Sequence, residues 1–584
     1  MNQFARIAAF TIVVAVLLTS AFADAKARKP KELLQYIPAD TPYVMAVTKP
    51  LPDDLMDKIE PSMDKILSAY QRMMRYRLSE HLIELSAQED GAEKAERLQS
   101  FMDEMMSLMS IKGLRDAGIG RDSLMAVYGD GMLPVFRIGV TDVDKFEAAI
   151  ARLESRADEK FMLGELAGET YRYRNFDELS LVIATIGKDA VITMVPAEVD
   201  DERLAQTLGI RKPRNSIAHS KDLAKIARKY GFTDHFVSFI DVERIAAVFT
   251  GDPTGRNAAL LELLGVNAVD LPPECQAEIG EMASVAPRIV LGYTAVDRKF
   301  IETAMVVELR DDIASGMATL PSVVPGLGSD LGGLFSFGFS LDLLAARAFY
   351  EARLDALDAD PFECARFADL NAMTVEGREA LAKPVPPVVY SFRGMLANVT
   401  NIEGLDLGTD TPPESIDASI LLAIENAQDL VTMAAMMSPE VAALNLLPDG
   451  KAKALNLPQL AAVAEQAFAA LTQDGLAVAL GDGAAEQAEA MLSADASASR
   501  PFASFSMDAA KYYEFVGEAI MKGEDDGEGE PMPEAMRKAM KDVMISSGEM
   551  YERMTFNVHL TERGVEINSR LTLADQARHR REEP

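Results

Sequence analysis

The sequence predicts an α+β fold, internally duplicated, with four strand–helix–helix–β-hairpin units in two lobes and largely antiparallel sheets. Two observations lead there. The first is a recurrent opening in which a short apolar strand runs into an Asp: Tyr43-Val-Met-Ala-Val-Thr-Lys-Pro-Leu-Pro-Asp53, Phe236-Val-Ser-Phe-Ile-Asp241, Phe335-Ser-Phe-Gly-Phe-Ser-Leu-Asp342 and Phe502-Ala-Ser-Phe-Ser-Met-Asp508. Internal repetition fixes architecture ahead of any single residue. The second is that strands are joined by hairpins rather than by crossovers, which favours antiparallel pairing.

Each opening strand is alternating or wholly apolar, as a sheet with a buried face requires. The Asp that follows suits a helix start, where its carboxylate accepts from the first free amides. Helical spacing follows in Val242, Ile245, Ala246, Val248 and Phe249, and again in Leu343, Leu344, Ala346 and Phe349. Hairpins are then expected. In the first unit Leu124–Tyr128 turns through Asp130-Gly131 into Leu133–Ile138, an Asp-Gly pair suiting a tight turn. In the second, Arg288–Thr294 turns at Asp297-Arg298 into Phe300–Leu309. The third offers Pro387–Arg393 and Ser419–Ile424, and the fourth Met554–Leu560 with Val565–Leu571.

Between units come a helix from Asp144 to Leu153 with strands Leu181–Ile186 and Ala190–Met194. The second half matches with a helix from Ala427 to Met437, a strand Leu476–Leu480 and a helix Ala484–Leu492. The domains expected are therefore a leader at 1–23, a first lobe at 24–320 and a second at 321–584. The Pro/Gly-rich stretch 321–333 marks the seam. A helical hairpin at about 61–110 is inserted in the first lobe, and an acidic loop, 522–531, in the second. That loop lacks the alternating ligands and distal Glu of a calcium site.

The leader reads as a cleaved secretory signal peptide. Arg6 precedes an apolar run from Ile7 to Leu18, and Ala21-Phe22-Ala23 supplies small residues at the processing site. The run is shorter than the ~20 residues a membrane span needs, and the mature chain has no transmembrane segment by this reading. The 584 residues are 48% hydrophobic, ample for a core, and carry a formal net charge of −33. That charge repels nucleic acid and anionic membrane surfaces alike. A periplasmic, soluble product is expected. Basic residues Lys26, Arg28, Lys29 and Lys31, and the tail Arg578–Arg581, read as solvated ends.

The two cysteines, Cys275 and Cys364, sit in similar Pro-x-Cys and Pro-x-x-Cys contexts, and an even pair in an oxidising compartment is expected to bond. Such a disulfide would staple the second repeat to the third. The five histidines, His81, His219, His235, His559 and His579, stand singly, so no metal centre is expected, and no cofactor motif is present. Ser62-Met-Asp-Lys65 fits S-x-x-K, the serine–lysine spacing of penicillin-binding enzymes, but no Lys-Thr-Gly strand follows. Met102, Met105, Met106 and Met109 share one helix face, as do Met536, Met540 and Met544. At helical spacing they serve as core filler or line an adaptable apolar groove.

The mature opening Leu34-Gln-Tyr-Ile-Pro-Ala-Asp-Thr-Pro-Tyr-Val44 resembles that of a group of exported proteobacterial proteins without an assigned role. Val323–Gly328, Leu334–Phe339 and Pro361-Phe-Glu-Cys364 are similar to the same group. A further resemblance is to tandem strand–helix–hairpin domains of unknown function in bacterial envelopes. Duplication, absent catalytic motifs and apolar helix faces together predict a non-catalytic envelope protein. Its expected partner is an apolar ligand or another envelope protein. The alternative is an exported hydrolase with a dispersed site, for which Ser62 and Lys65 are the nameable pair.

Overall fold

The computed structural model describes residues 30–87, 91–157, 160–176, 178–251, 257, 261, 271–404, 413–455, 464–522 and 532–575. The expected leader, residues 523–531 of the acidic loop and the basic tail lie outside them. Helix accounts for 44% and strand for 29% of the described residues, and the strand pairs are antiparallel, an α+β composition. Two compact units emerge. One comprises the described parts of Met1–Ala304 with Pro533–Ser546, the other Met305–Met532 with Ser547–Asp575.

The first unit holds β1 (Tyr43–Val47), β2 (Met125–Asp130), β3 (Leu133–Gly139), β4 (Met162–Leu166), β5 (Glu169–Phe176), β6 (Leu179–Ile186), β7 (Asp189–Pro196), β8 (Phe236–Asp241) and β9 (Arg288–Asp297). Their order across the sheet is β4-β5-β6-β7-β3-β2-β1-β8-β9. β9 continues through a hairpin into β10 (Phe300–Glu308). Helices α1 (Asp53–Ser86) and α2 (Gly91–Leu108) connect β1 to β2. α3 (Val143–Arg156) and α4 (Asp201–Leu208) flank the outer strands, and α5 (Val242–Thr250) and α6 (Pro273–Val285) connect β8 to β9.

The second unit holds β11 (Phe335–Ser340), β12 (Phe392–Glu403), β13 (Ser415–Ile424), β14 (Lys453–Ala454), β15 (Ala467–Leu471), β16 (Gly475–Leu480), β17 (Ala503–Asp508), β18 (Tyr551–Thr561) and β19 (Gly564–Leu573). Here the order is β14-β15-β16-β13-β12-β11-β17-β18-β19. Helices α7 (Leu343–Ala359) and α8 (Ala368–Ala382) connect β11 to β12, and α9 (Ala427–Met437) and α10 (Ala484–Ser493) follow. α11 (Ala509–Lys522) and α12 (Glu534–Met550) precede β18. In both units two opening strands pair at the centre, β1 with β8 and β11 with β17. Each then pairs on its other side with the first strand of the hairpin that follows it.

Three of the four Asp residues act as expected. Asp241 accepts from the Arg244 amide at 3.0 Å, Asp342 from those of Leu344 and Ala345, and Asp508 from that of Lys511. Asp53 instead lies inside the first turn of α1, and Pro52 holds the cap position. A proline there gives up an amide that has no helical partner anyway. The inserted helical hairpin begins at Asp53 rather than Pro61, the helix running on through the proline. Two strand expectations also change. Pro387–Ser391 is a short 3-10 turn and β12 starts at Phe392, because consecutive prolines 386 and 387 fix their backbone angles and lack ladder donors. The hairpin β4–β5 and the strand β15 were not expected from the sequence.

The core of the first unit contains a charged pair as well as apolar side chains. Arg137 and Asp189 are both buried and meet at 3.0 Å, with a second Arg137 nitrogen donating to the Leu208 carbonyl at 2.6 Å. Tyr36 stacks against the guanidinium, 4.2 Å from the ring centre. Nearer α1, Glu60 receives both Arg115 and Arg121. Burial raises the Glu60 carboxyl, but the two guanidinium groups outweigh it and hold it below its usual range.

Candidate functional site

Alternation along β11 sends Phe335, Phe337 and Phe339 to one side of the second sheet, and Ser336, Gly338 and Ser340 to the other. Register extends the apolar side across the sheet. Phe337 lies opposite Ala397 and Phe505, Ala397 opposite Ile420, Ile420 opposite Val478, and Phe505 opposite Phe556. The row beside it reads Leu476, Leu422, Met395, Phe339, Ala503 and Val558. Side chains directly opposite in neighbouring strands touch, so these rows make one continuous apolar surface.

The two sides of this sheet are covered in reverse of the usual polarity. Serines 336, 340, 419, 504 and 506, with Asn398, are buried on the small-residue side. That side packs under α10 and a loop, through a cluster including Val324, Leu327, Leu396, Leu421, Ala488 and Met491. Glycine is needed at 338, because a Cβ there would lie 2.7 Å from the Met395 carbonyl and 2.8 Å from Leu327. On the phenylalanine side, Phe337 is 45% and Ile420 42% exposed, although both sit mid-sheet. Interior strand positions of this size are ordinarily covered.

Helices guard the flanks of that surface. Tyr512 of α11 stands edge-on to Phe335 and Phe505, with ring centres 6.3 and 6.2 Å away. Leu430 and Val431 of α9 pack with Leu422, Leu471 and Leu476 on the far side. Between these flanks the Phe337–Ile420 strip is an apolar trough floored by sheet. Met433, Met436 and Met437 of α9 are exposed as well. The two rows carry no ionisable side chain, so the floor of the trough presents a purely apolar surface. Covering one large apolar side chain contributes about 1.5–3 kcal/mol.

No family model, curated protein or solved structure matches this chain.

The residues singled out in the sequence are distributed as follows. Cys275 and Cys364 are disulfide-bonded. Met106 is 1% exposed and belongs to the core, while Met102, Met105 and Met109 are half-buried. Gln71 of α1 ties this stretch down by donating to the Met106 and Met109 carbonyls at 2.9 and 2.8 Å. Met536, Met540 and Met544 are half-buried along α12. Ser62 is buried on the packed side of α1, whereas Lys65, one turn on, is exposed. His235 is buried against Pro50, its Nδ1 2.8 Å from that carbonyl, and burial together with the Lys49 charge lowers its pKa from the ordinary value. No described helix is long and apolar enough to cross a membrane.

The phenylalanine trough was absent from the sequence-based site residues, yet its signal was present. Phe-Ser-Phe-Gly-Phe-Ser from 335 and Ala-Ser-Phe-Ser-Met from 503 alternate with period two. What the alternation leaves open is which face is covered.

Proposed function

We propose that this is an exported, non-catalytic binding protein whose second unit holds an apolar ligand in the trough over Phe337 and Ile420. The observation that carries the reading is the exposure of these two side chains at the centre of an apolar sheet face. Exposed patches of this kind mark interaction sites, and an apolar lining with few polar groups is usual for small-molecule sites. Export is supported by the leader-like first 23 residues and by the disulfide. The matching strand orders of the two units support internal duplication of strand–helix–helix–hairpin repeats.

A protein partner is the second reading, favoured by exposed Met373 and Val375 on α8 and by Val385 and Val389 just beyond it. The hydrolase alternative gains no support from a buried Ser62 and an exposed Lys65. Titration of the full chain with a fluorescent fatty acid separates the first two readings. Saturable binding that Phe337→Glu weakens about tenfold or more, a change of about 1.4 kcal/mol, supports the ligand reading. Binding that survives both Phe337→Glu and Ile420→Lys, or no binding at all, removes the trough from the account.

A further inference from the structure

A second site of different chemistry is built into the first unit. A cavity of about 400 Å3 lies against β2 and α4, within the ~300–1,000 Å3 range of small-molecule sites. Its deep part is made by Tyr128, Asp130 and Thr207, and its walls by Tyr36, Arg203 and Gln206. Asp40, Glu202, Arg214 and Asn215 form the rim. The local structure explains the convergence. Tyr128 and Asp130 are two apart on a strand and share a face, while Arg203, Gln206 and Thr207 fall three and four apart on one helix face. Asp130 pairs with Arg203 and accepts from the Thr207 hydroxyl at 2.6 Å.

Tyr128 makes this a site rather than a crevice. The residue is 1% exposed, and its hydroxyl faces the donor-only guanidinium of Arg137 and finds no acceptor for its own proton. Leaving such a buried donor unmatched costs about 1–3 kcal/mol. Burial raises the pKa of this phenol. The neighbouring Arg137 opposes that rise, though its own Nε is also unpartnered. The hydroxyl therefore keeps its proton and calls for an acceptor. Arg137 itself cannot swing away, being held by Asp189, the Leu208 carbonyl and the Tyr36 ring.

We propose that this cavity binds a neutral polyhydroxylated ligand, a sugar unit with neighbouring hydroxyls. The lining decides the class. Two arginines and three carboxylates share the cavity, so a simple anion meets Asp40, Asp130 and Glu202, and a simple cation meets Arg203 and Arg214. A hydroxyl both donates and accepts, and a guanidinium beside a carboxylate complements two such groups side by side. A sugar oxygen accepts from Tyr128, further hydroxyls bridge Arg203, Asp130 and Gln206, and Pro38 and Ala39 face the C–H surface. Free sugar and the end unit of a glycan present the same groups.

Calorimetric titration of the full chain with glucose, N-acetylglucosamine and N,N′-diacetylchitobiose, with acetate and methylammonium as charged probes, tests this. Saturable heat with a sugar and none with the ions is expected, with Tyr128→Phe weakening binding about tenfold. Gln206→Ala is the second variant, since it disturbs no buried charge, and a comparable loss is expected. Tighter binding of the disaccharide identifies a glycan as the source, and equal binding a free sugar. Absence of heat with every sugar, saturation by acetate or methylammonium alone, or unchanged affinity in both variants overturns the proposal.

Discussion

Arg137 shows how much one side chain organises the first unit. Its charge is cancelled by Asp189 and its planar group is clamped by Tyr36 and the Leu208 carbonyl, all inside the core. Removing one partner of a buried pair strands the other, which costs about 3–5 kcal/mol. Arg137→Met should lower the urea midpoint accordingly, and Arg137→Met with Asp189→Leu should recover much of the loss. A single variant as stable as the parent would contradict this. His235 supplies a pH response. Its folded pKa lies below the ordinary ~6.5, so the unfolded chain takes up the proton first. Stability is then complete above that value and is lost as pH falls through the folded one. Urea midpoints from about pH 7 to about pH 5 should fall more steeply for the parent than for His235→Gln; equal slopes would dismiss the histidine as the cause. Neither residue's role was legible in the sequence, because pairing and burial depend on elements far apart in the chain.

Elements were read more successfully where two levels agree. The four openings predicted strands, and the capping Asp predicted helix starts at 241, 342 and 508, since both signals are local. Loss of a cap of this kind costs about 1 kcal/mol, so Asp342→Ala should reduce the thermal midpoint by a few degrees while leaving circular dichroism unchanged. An unaltered midpoint would mean that tertiary packing alone holds α7 in place. Elements were missed where local preference opposes context. Ala467-Phe-Ala-Ala-Leu471 suits a helix by composition, yet it forms β15 because β16 supplies a partner edge. The trough escaped for a related reason: alternation separates the two faces of β11 without saying which one the chain will cover.

For the whole molecule, the most secure sequence expectations concerned architecture class and the cysteine pair. Closing a loop of roughly 90 residues contributes about 4–5 kcal/mol in the chain-entropy model. Cys275→Ser with Cys364→Ser should show that order of destabilisation, and the parent's denatured mass should be two protons light. Full stability of the double variant would refute the contribution. The strand orders of the two units could not be read in advance, because register and neighbour choice are set by packing between segments separated by dozens of residues.

The second sheet has one more property of consequence, in the two-residue strand β14. Among the described residues it is the last strand on its side, pairing only with β15 through Lys453 and Ala454. So short an edge, carrying a lysine, gives an incoming strand almost no ladder to extend. Among the described residues that margin therefore offers little to pair with. A protein that keeps phenylalanines open on a sheet face gains from ending that sheet, on one side, in a strand too short to template another.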